Sequence, residues 1–471
     1  MKIAYLHYHL KTGGVTTVLK QQLATVARQT EQLVITGDPG ETHLDADTVR
    51  IPELAYSSDY RGIVKPRDAA RAILEAISSK FGGPCDVLHV HNPTLAKNRY
   101  FLTILKQLQQ EGLNLLLQIH DFAEDGRPLA YFAESYPADC HYGVINQRDY
   151  QILRQAGLKH EGLHLMENTV TVPPITRRGE VDCRGILYPI RAIRRKNIGE
   201  AILLSCFMKA DQPVEITLPP NSATDIISYR GWKDFVRDHG LNVKFDRGLN
   251  QDFGSLVAAA DFLISTSITE GFGFSFLEPW LFGKVLWGRK LVDICLDFEN
   301  NGIRLDHLYA GLHVPLDWID PAQFRDKWHR CVLENCKLFH YSISPERLWE
   351  AFDSLTSDGK IDFGLLDESS QKRVVLRVIS SGRDSAALIR INPFLAAPGI
   401  GGGQTELIGH NRQAILDCYS QKSYRDNLLN IYCKVGTTPV KQEIDKTILV
   451  ASFLNPDKFS LLKWGAYEDE K

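Results

Sequence analysis

The chain has 471 residues, of which 44% are hydrophobic and 24% charged. This composition is typical of a globular enzyme with two domains and excludes a disordered, fibrous or membrane-spanning protein. The formal net charge of -3 provides no overall field that would attract nucleic acid or anionic lipid, so an anionic ligand would need a local site.

The cysteines and the N-terminus indicate the compartment. The nine cysteines are scattered without a Cys-x-x-Cys pair, which is typical of reduced thiols in a cytoplasmic protein. The first residues form a short apolar strand that meets polar residues before a signal-peptide core is complete. We therefore expect a cytoplasmic protein.

Residues 1–175 are predicted to form a first α/β domain. Short β-rich runs alternate with helical patterns, as in a parallel sheet covered by helices on both faces. After the first strand, Gly13 and Gly14 precede a helix expected over 15–29. Glycines let a ligand approach the backbone and a helix N-terminus attracts anions, although such a turn is often only structural. Strands are expected at 2–7, 32–36, 86–90, 114–119 and 141–145.

A polar, proline-containing linker is predicted over 170–182, and a second α/β domain over 176–345. The second domain repeats the architecture of the first without repeating its sequence. Its strands are expected at 184–188, 214–218, 242–245 and 261–265, and its helices at 197–209, 229–239, 252–260 and 274–283.

A basic turn follows the first strand of this second domain. Four cations lie between Arg191 and Lys196, at the carboxyl end of a strand, which is where parallel sheets bind their ligands. At such a place an arginine and a lysine neutralise a diphosphate. The alternative is a solvated basic turn without a ligand.

Two carboxylates and a glycine turn follow the last predicted strand of the second domain. The segment runs Glu270-Gly271-Phe272-Gly273-Phe274, and Glu278 follows about one turn into the predicted helix. The turn exposes backbone amides to a ligand, and the second carboxylate is suited to accept hydrogen bonds from the paired hydroxyls of a ribose.

The C-terminal residues, 346–471, are predicted to be a mostly helical extension. A mobile glycine loop is expected at 400–403 and a helical segment at 409–434, because glycine runs lack conformational restriction and the later segment has helical periodicity. No role is assigned to 435–471.

These motifs together resemble glycosyltransferase family 4 and its GT-B relatives. The resemblance rests on the order of the glycine pair, the basic turn and the two carboxylates, and it covers roughly 1–345. A segment over 419–432 resembles the family's closing helix, which returns to the first domain. The resemblance implies an α/β fold of two facing Rossmann-like domains, the first on the acceptor side and the second binding a nucleotide-sugar donor.

In the second domain, the resemblance implies that Arg191 and Lys196 hold the donor diphosphate and that Glu278 binds the ribose. Glu270 would lie near the hydroxyls of the transferred hexose, and the amides over 271–274 would line it. The sequence departs from the family pattern at Ile190, where a glycine is usual, and over 280–284, where alanines are usual. These departures leave the nucleobase and the hexose open.

In the first domain, the resemblance implies that Gly13 and Gly14 close over the same diphosphate. His120 ends a predicted strand and matches the family's histidine that reaches the sugar near the reacting carbon. A lone histidine at a strand end is often structural, so only its place in the order of motifs favours the catalytic role.

We therefore expect a retaining glycosyltransferase that moves a hexose from a nucleotide sugar, with UDP favoured, to a hydroxyl of a small soluble molecule or glycan. Arg191, Lys196 and helix amides would stabilise the departing diphosphate in a cleft without water. No acidic cluster or Asp-x-Asp sequence lies beside these motifs, so neither a metal ion nor another cofactor is expected.

Three other functions stay open. Glu270 and Glu278 invite comparison with the acid and base of a glycosidase, although the cations would then have no function. A sugar-nucleotide epimerase of GT-B architecture would release an altered sugar without using an acceptor. A non-catalytic subunit that binds nucleotide sugars is the third alternative.

The partners expected from the sequence are the donor and the acceptor, without nucleic acid. The segment 94–106 is amphipathic and carries three cations, which are few for stable membrane anchoring. Membrane contact is therefore disfavoured, and a homo-oligomer stays open.

Overall fold

The computed structural model describes residues 1–171, 185–399 and 403–468. The predicted domain boundary between 175 and 176 and most of the predicted linker and glycine loop lie outside these ranges. The described chain divides into two compact units. Unit 1 comprises Met1–Thr169, Leu338–Tyr341 and Tyr419–Leu454, and unit 2 comprises Val170–Lys337, Ser342–Cys418 and Asn455–Lys471.

The first part of the chain alternates strands and helices, as the sequence predicts. The five predicted strands are all present. Two short strands that the sequence did not indicate lie at the two edges of the sheet. The elements are β1 Lys2–His9, α1 Gly14–Val26, β2 Glu31–Asp38, β3 Asp47–Arg50, α2 Pro66–Phe81, β4 Val87–His91, α3 Phe101–Gln110, β5 Leu115–Ile119, β6 His141–Val144, α4 Gln147–Gln155 and β7 Leu163–Leu165.

The seven strands form one sheet in the order β3-β2-β1-β4-β5-β6-β7, and all of their pairings are parallel. Its central strands are buried almost throughout, which is why they appear in the sequence as continuous apolar runs. Since the strands are parallel, the chain leaves β1, β4 and β5 at the same edge of the sheet, near His9, His91 and His120.

The four predicted strands and three of the four predicted helices of the second α/β series are present, whereas a strand at Leu286–Gly288 and helices at Arg247–Asn250 and Val292–Asn300 were not predicted. The helix predicted over 274–283 is wrong, because a 3-10 helix and a short α-helix take its place. The elements are β8 Ile186–Arg191, α5 Ile198–Ser205, β9 Val214–Leu218, α6 Ala223–Asp238, β10 Val243–Lys244, α7 Arg247–Asn250, α8 Phe253–Ala259, β11 Phe262–Ser265, α9 Glu278–Leu281, β12 Leu286–Gly288 and α10 Val292–Asn300.

The strands of unit 2 form a five-stranded sheet in the order β10-β9-β8-β11-β12. All of its pairings are parallel. β8 and β11 are neighbours at its centre, so the segments that follow them emerge side by side. The basic turn follows β8 and the glycine turn follows β11, which brings the two motifs together.

The rest of the chain is mostly helical, apart from a two-stranded antiparallel ribbon. The segment predicted as one helical stretch over 409–434 is divided at 419–420 into two helices. The elements are β13 His313–Pro315, α11 Pro321–Leu338, α12 Pro345–Leu355, β14 Lys360–Asp362, α13 Glu368–Ser380, α14 Gly382–Ile391, α15 Gln404–Cys418, α16 Gln421–Thr437, α17 Lys446–Phe453 and α18 Leu461–Trp464.

Helix α16 returns to unit 1 and completes its core. Tyr424, Leu428 and Tyr432 are buried against β1 and α1, in a cluster that includes Tyr5 and Leu19. The Tyr432 hydroxyl donates a hydrogen bond to the Tyr5 hydroxyl over 3.0 Å. The sheet of unit 1 is therefore covered on this face by residues more than four hundred positions away in the sequence.

The amphipathic segment considered for membrane contact supplies core residues of unit 1. Within it, α3 buries Leu102, Ile104 and Leu105 completely, and it packs against α2. Its apolar face is thus used by the fold. Among the described residues, no helix has the length and apolarity needed to cross a bilayer. None of the cysteines in these residues forms a disulfide.

Candidate functional site

The basic turn of unit 2 has a fixed backbone. β8 ends at Arg191, a 3-10 helix spans Arg194–Lys196, and Asn197 adopts a left-handed conformation with φ of 51° before α5 begins. The Lys196 carbonyl accepts hydrogen bonds from the Tyr188 hydroxyl at 2.7 Å and from the Thr266 hydroxyl at 3.1 Å. Residues of β8 and of the loop after β11 thereby hold the turn in place.

A buried polar network lies behind the turn. The Asn197 amide donates to Glu200 over 2.8 Å and accepts from Gln371 over 2.9 Å. Arg289 donates to the Glu200 carboxylate over 3.0 Å, and its other end donates to Asp362 over 2.7 Å. The sequence contains no local signal for this network, because Gln371, Arg289 and Asp362 lie far along the chain from Asn197 and Glu200. It anchors the residue next to Lys196.

The two cations expected to hold a diphosphate have different surroundings. The Arg191 side chain is exposed, and its guanidinium donates to the Pro219 carbonyl over 3.1 Å. The Lys196 ammonium forms an ion pair with the Glu270 carboxylate, and both side chains are mostly buried. Lys196 and Glu270, seventy-four positions apart, therefore meet at the carboxyl edge of the sheet.

The ion pair keeps Glu270 ionised. Burial by itself raises the pKa of this carboxyl, but the adjacent Lys196 ammonium and a hydrogen bond from Ser267 outweigh burial and lower the pKa below its usual value. A carboxylate that stays charged is a strong hydrogen-bond acceptor. Glu270 is thus suited to bind either a cation or the hydroxyls of a sugar.

The glycine turn between the carboxylates requires glycine at one position. Gly273 has φ of 94°, in the left-handed region that other residues rarely adopt. A Cβ atom at this position would lie 2.9 Å from Ile294 and 3.2 Å from Phe298. The Phe272 ring is buried and packs edge-on against Phe298, so the side chain of Phe272 belongs to the core.

Glu278 is the first residue of α9, rather than a residue one turn into a helix. Burial raises the pKa of its carboxyl to about 7. Among the described residues, no hydrogen bond or ion pair to this carboxylate is present. A carboxylate that is buried without a compensating partner favours a ligand that donates hydrogen bonds.

The glycine pair of unit 1 lies where the sequence predicts it, between β1 and α1. Gly13 is extended, with φ of 177°, and Gly14 is the first residue of the helix. A Cβ atom at Gly14 would meet nothing within 4 Å, and one at Gly13 would meet only the Lys11 carbonyl at 3.9 Å. The fold of unit 1 therefore does not itself require glycine at either position.

His120 follows β5 and is held by two neighbours. Its ring Nε2 lies 2.9 Å from Nδ1 of His91, and its backbone N–H donates to the side-chain oxygen of Asn92 over 2.7 Å. Burial lowers the pKa of His120 to about 4 and holds that of His91 well below its usual value. Both imidazoles are therefore neutral near pH 7.

His91 is a residue that the sequence analysis missed. It ends β4, and its ring lies beside that of His120, with the two planes 14° apart and the centroids 5.2 Å apart. A signal was present in the alternation of His89 and His91 at the end of a predicted strand. The hydrogen bond leaves only Nδ1 of His120 for a ligand.

Charges of both signs lie near Tyr56 in unit 1. The Lys97 ammonium is 5.8 Å from the centre of the Tyr56 ring. Burial raises the pKa of the Tyr56 hydroxyl, Arg127 and Lys11 act to lower this pKa, and nearby carboxylates act to raise it. Arg127 pairs with Asp121 over 2.9 Å, which orients its guanidinium. His9 also contacts Tyr56, with 3.1 Å between the ring nitrogen and the hydroxyl.

The predicted site residues fall into two groups, one in each unit. In unit 2, Arg191, Lys196, Glu270 and Glu278 follow the neighbouring strands β8 and β11. In unit 1, the glycine pair and His120 follow β1 and β5. The described parts of the chain contain no group of three or more His, Cys, Asp or Glu side chains arranged to hold a metal ion.

Comparison with known proteins adds three similarities, although no family model matches the sequence. The chain is 26% identical to the mannosylglucosyl-3-phosphoglycerate synthase of Petrotoga mobilis, over 97% of this chain and 98% of that protein. The solved structure of a sucrose-phosphate synthase from Thermosynechococcus elongatus matches with a TM-score of 0.51 and 14% identity, over 92% of this chain and 98% of the other. The solved structure of Anabaena HepE in complex with UDP-glucose matches with a TM-score of 0.51 and 12% identity, over 92% of this chain and 99% of the other.

Proposed function

The chain is a glycosyltransferase with the GT-B fold, and on that premise we propose that it transfers a hexose from a nucleotide sugar to a small soluble acceptor with retention of configuration. The observation that carries the proposal is the contact of Lys196 with Glu270 at the carboxyl edge of the unit 2 sheet. A cation for a diphosphate next to a carboxylate for sugar hydroxyls matches the two halves of a nucleotide sugar.

In the proposed reaction, the bond between the anomeric carbon and the diphosphate breaks, and negative charge grows on the diphosphate. Arg191 and Lys196 stabilise this charge. Arg191 ends β8, Lys196 ends the 3-10 helix that follows, and the backbone of Lys196 is held by Tyr188 and Thr266. Fixed donors need no reorganisation as the charge develops, which lowers the barrier. The protein cations thereby supply the role that a divalent ion has in other transferases, so we propose that no metal is required.

Glu278 is proposed to bind the nucleotide ribose. Its carboxylate is mostly buried and its pKa is raised to about 7 by burial, so hydroxyl donors would stabilise its ionised form. The structural neighbour from Anabaena was solved with UDP-glucose, which supports UDP as the first nucleotide to test. The GT-B fold itself does not determine the base.

Retention is proposed to follow from attack on the same face of the sugar that the diphosphate leaves. The acceptor hydroxyl then passes its proton to a phosphate oxygen of the donor. This route suits His120, because a histidine whose pKa is about 4 is a weak base at neutral pH. We propose that His120 orients the sugar by a hydrogen bond and does not take the proton.

The acceptor is proposed to be small and anionic. The name of the Petrotoga relative describes a product that contains 3-phosphoglycerate. In unit 1, Lys97 and Arg127 lie near Tyr56, and such a group of cations is suited to a phosphate or a carboxylate. A phosphorylated sugar acid is therefore the first acceptor to test.

The first experiment is a screen of UDP-, GDP- and ADP-sugars by thermal shift, followed by reaction with candidate acceptors. A donor at one hundred times its Kd stabilises the folded state by about 2.7 kcal/mol. Mass spectrometry then shows which acceptor has gained a hexose among 3-phosphoglycerate, glucosyl-3-phosphoglycerate, polyols and lipids. NMR of the product gives its anomeric configuration. An isomerised sugar formed without acceptor would instead support the epimerase, and binding without any turnover would support the non-catalytic subunit.

We expect Lys196→Ala to lower kcat by roughly 100- to 1000-fold, the usual effect of removing one donor to a developing negative charge. The control is Lys458→Ala, which breaks an exposed ion pair with Asp293 in the same unit and should leave kcat unchanged. Melting temperatures without ligand show that both variants fold. Equal turnover of the two variants would overturn the role of Lys196.

A further inference from the structure

In the proposed function, the Glu270 carboxylate and the nucleotide diphosphate both bind the ammonium of Lys196. The Glu270 carboxylate and the Lys196 ammonium form an ion pair with 12% and 15% of the two side chains exposed. A diphosphate that binds Lys196 therefore competes with a carboxylate that already neutralises this ammonium.

The backbone around this pair is held in place, so the exchange is confined to side chains. The Thr266 hydroxyl donates to the carbonyls of both Lys196 and Asn197, at 3.1 and 3.0 Å. On the other side, the Ile268 N–H donates to the Arg195 carbonyl over 3.0 Å. The two loops that carry the pair are thereby tied to each other, and neither can withdraw alone.

From this geometry we infer that Glu270 makes the enzyme discriminate between a nucleotide sugar and the free nucleotide that remains after transfer. The inference rests on the proposed function. When a nucleotide sugar binds, the hexose hydroxyls donate to the carboxylate that Lys196 releases. When a free nucleoside diphosphate binds, it draws the Lys196 ammonium away from Glu270, which keeps the hydrogen bond from Ser267 but gains no new donor.

Binding of the nucleotide product is weakened because Glu270 stays charged. Its pKa is lowered below the usual value even though burial opposes this, so protonation does not relieve the loss of Lys196 at neutral pH. A mostly buried carboxylate that loses its neutralising cation is destabilised, even though the Ser267 hydrogen bond remains. The ion pair therefore weakens the binding of the nucleotide product and promotes its release, while the donor is bound without this cost.

The test compares the Kd of a free nucleotide with that of its sugar conjugate in the wild type and in Glu270→Gln. Glutamine keeps the shape and can accept from sugar hydroxyls, but it does not hold the ammonium as a charged group does. The probes are UDP with UDP-glucose, GDP with GDP-mannose and ADP with ADP-glucose, measured by calorimetry. We expect the free nucleotide to bind about tenfold more tightly to Glu270→Gln, as the loss of one charged hydrogen bond implies, and the sugar conjugate to bind no more tightly.

The control is Glu299→Gln, because Glu299 forms a comparably buried ion pair with Lys290 over 2.6 Å. This variant should leave the ratio of the two Kd values unchanged.

Inorganic pyrophosphate is a further probe, since it contacts cations but offers no base or sugar, and it should also bind Glu270→Gln more tightly. If Glu270→Gln leaves the ratio unchanged or weakens both ligands equally, the inference fails. If no nucleotide or nucleotide sugar binds the wild type, the proposed function itself fails and the inference with it.

Discussion

If Glu278 binds the donor ribose as proposed, its ionisation is coupled to donor binding. Burial raises the pKa of its carboxyl from 4.5 to about 7, so near neutral pH the carboxyl is partly protonated. Hydroxyls of a bound ribose would donate to the ionised form and thereby lower this pKa. Donor binding and loss of a proton from Glu278 are therefore linked.

We expect the donor to bind more tightly as the pH rises from 6 to 8. Below the pKa of about 7 the carboxyl is protonated and must release its proton before it accepts two ribose hydrogen bonds, whereas above that pKa it is already ionised. At pH 7 about half a proton should be released for each donor bound. Calorimetry in buffers with different ionisation enthalpies measures this release.

Glu278→Gln should abolish the proton release and lower the affinity for the donor at pH 8, since a neutral amide is a weaker acceptor than a carboxylate. Glu299→Gln serves as a control that also removes a carboxylate from unit 2. A proton release that persists in Glu278→Gln would show that another group is responsible and that the ribose is bound elsewhere.

The sequence predicted those site residues that belong to a motif of neighbouring positions. The basic turn and the carboxylate pair stand out as motifs along the chain, and the structure brings Lys196 and Glu270 into contact. His91 and Arg289 were missed because their roles arise only through partners that folding brings close, His120 for the first and Glu200 for the second. Order along the chain does not reveal which strands are neighbours.

At the scale of elements, burial and length together determined what could be predicted. The longer strands at the centres of the sheets are mostly apolar runs, and they lie where the sequence predicts them. The strands β7 and β12 are mostly buried but only three residues long, and they were missed. β3 was missed because it is an edge strand whose residues are mostly exposed and so lack an apolar pattern. The helix predicted over 274–283 is instead a 3-10 helix, Phe274–Phe276, followed by a new helix at Glu278, because Pro279 is tolerated only in the first turn of a helix.

The glycine pair before α1 offers a test that separates function from folding. A methyl group at Gly14 meets no atom within 4 Å, and in a helix alanine is more favourable than glycine by roughly 0.5–1 kcal/mol. We expect Gly14→Ala to keep or raise the melting temperature. If the donor diphosphate approaches this backbone, the methyl group should lower donor affinity by about tenfold or more, equivalent to about 1.4 kcal/mol.

Gly273→Ala is the contrasting variant. Its φ of 94° and the contact of 2.9 Å with Ile294 require a strained backbone, which costs roughly 1–2 kcal/mol for the left-handed conformation alone. This variant should therefore lose stability by thermal unfolding. If Gly14→Ala binds the donor as the wild type does, the glycine pair has no close contact with the ligand.

At the scale of the whole molecule, each unit is assembled from separate stretches of the chain. Unit 1 takes Leu338–Tyr341 and Tyr419–Leu454 from the C-terminal part, while unit 2 takes Asn455–Lys471. The resemblance to a known family suggested the return of the helix near 419–432. Periodicity alone could not predict this return, because an amphipathic pattern does not indicate which surface covers the apolar face of the helix.

The return of α16 predicts that a change late in the chain destabilises unit 1. Leu428 is buried in the same cluster as Tyr5 and Leu19, so Leu428→Ala should lower stability by about 2–5 kcal/mol. Hydrogen exchange followed by mass spectrometry should show faster exchange in β1 and β4, with little change in β8. The control, Leu416→Ala, truncates an exposed leucine of α15 and should leave β1 protected. Faster exchange confined to α16 itself would mean that the sheet of unit 1 is stable without this helix, and that the C-terminal segment is an addition to the unit rather than part of its core.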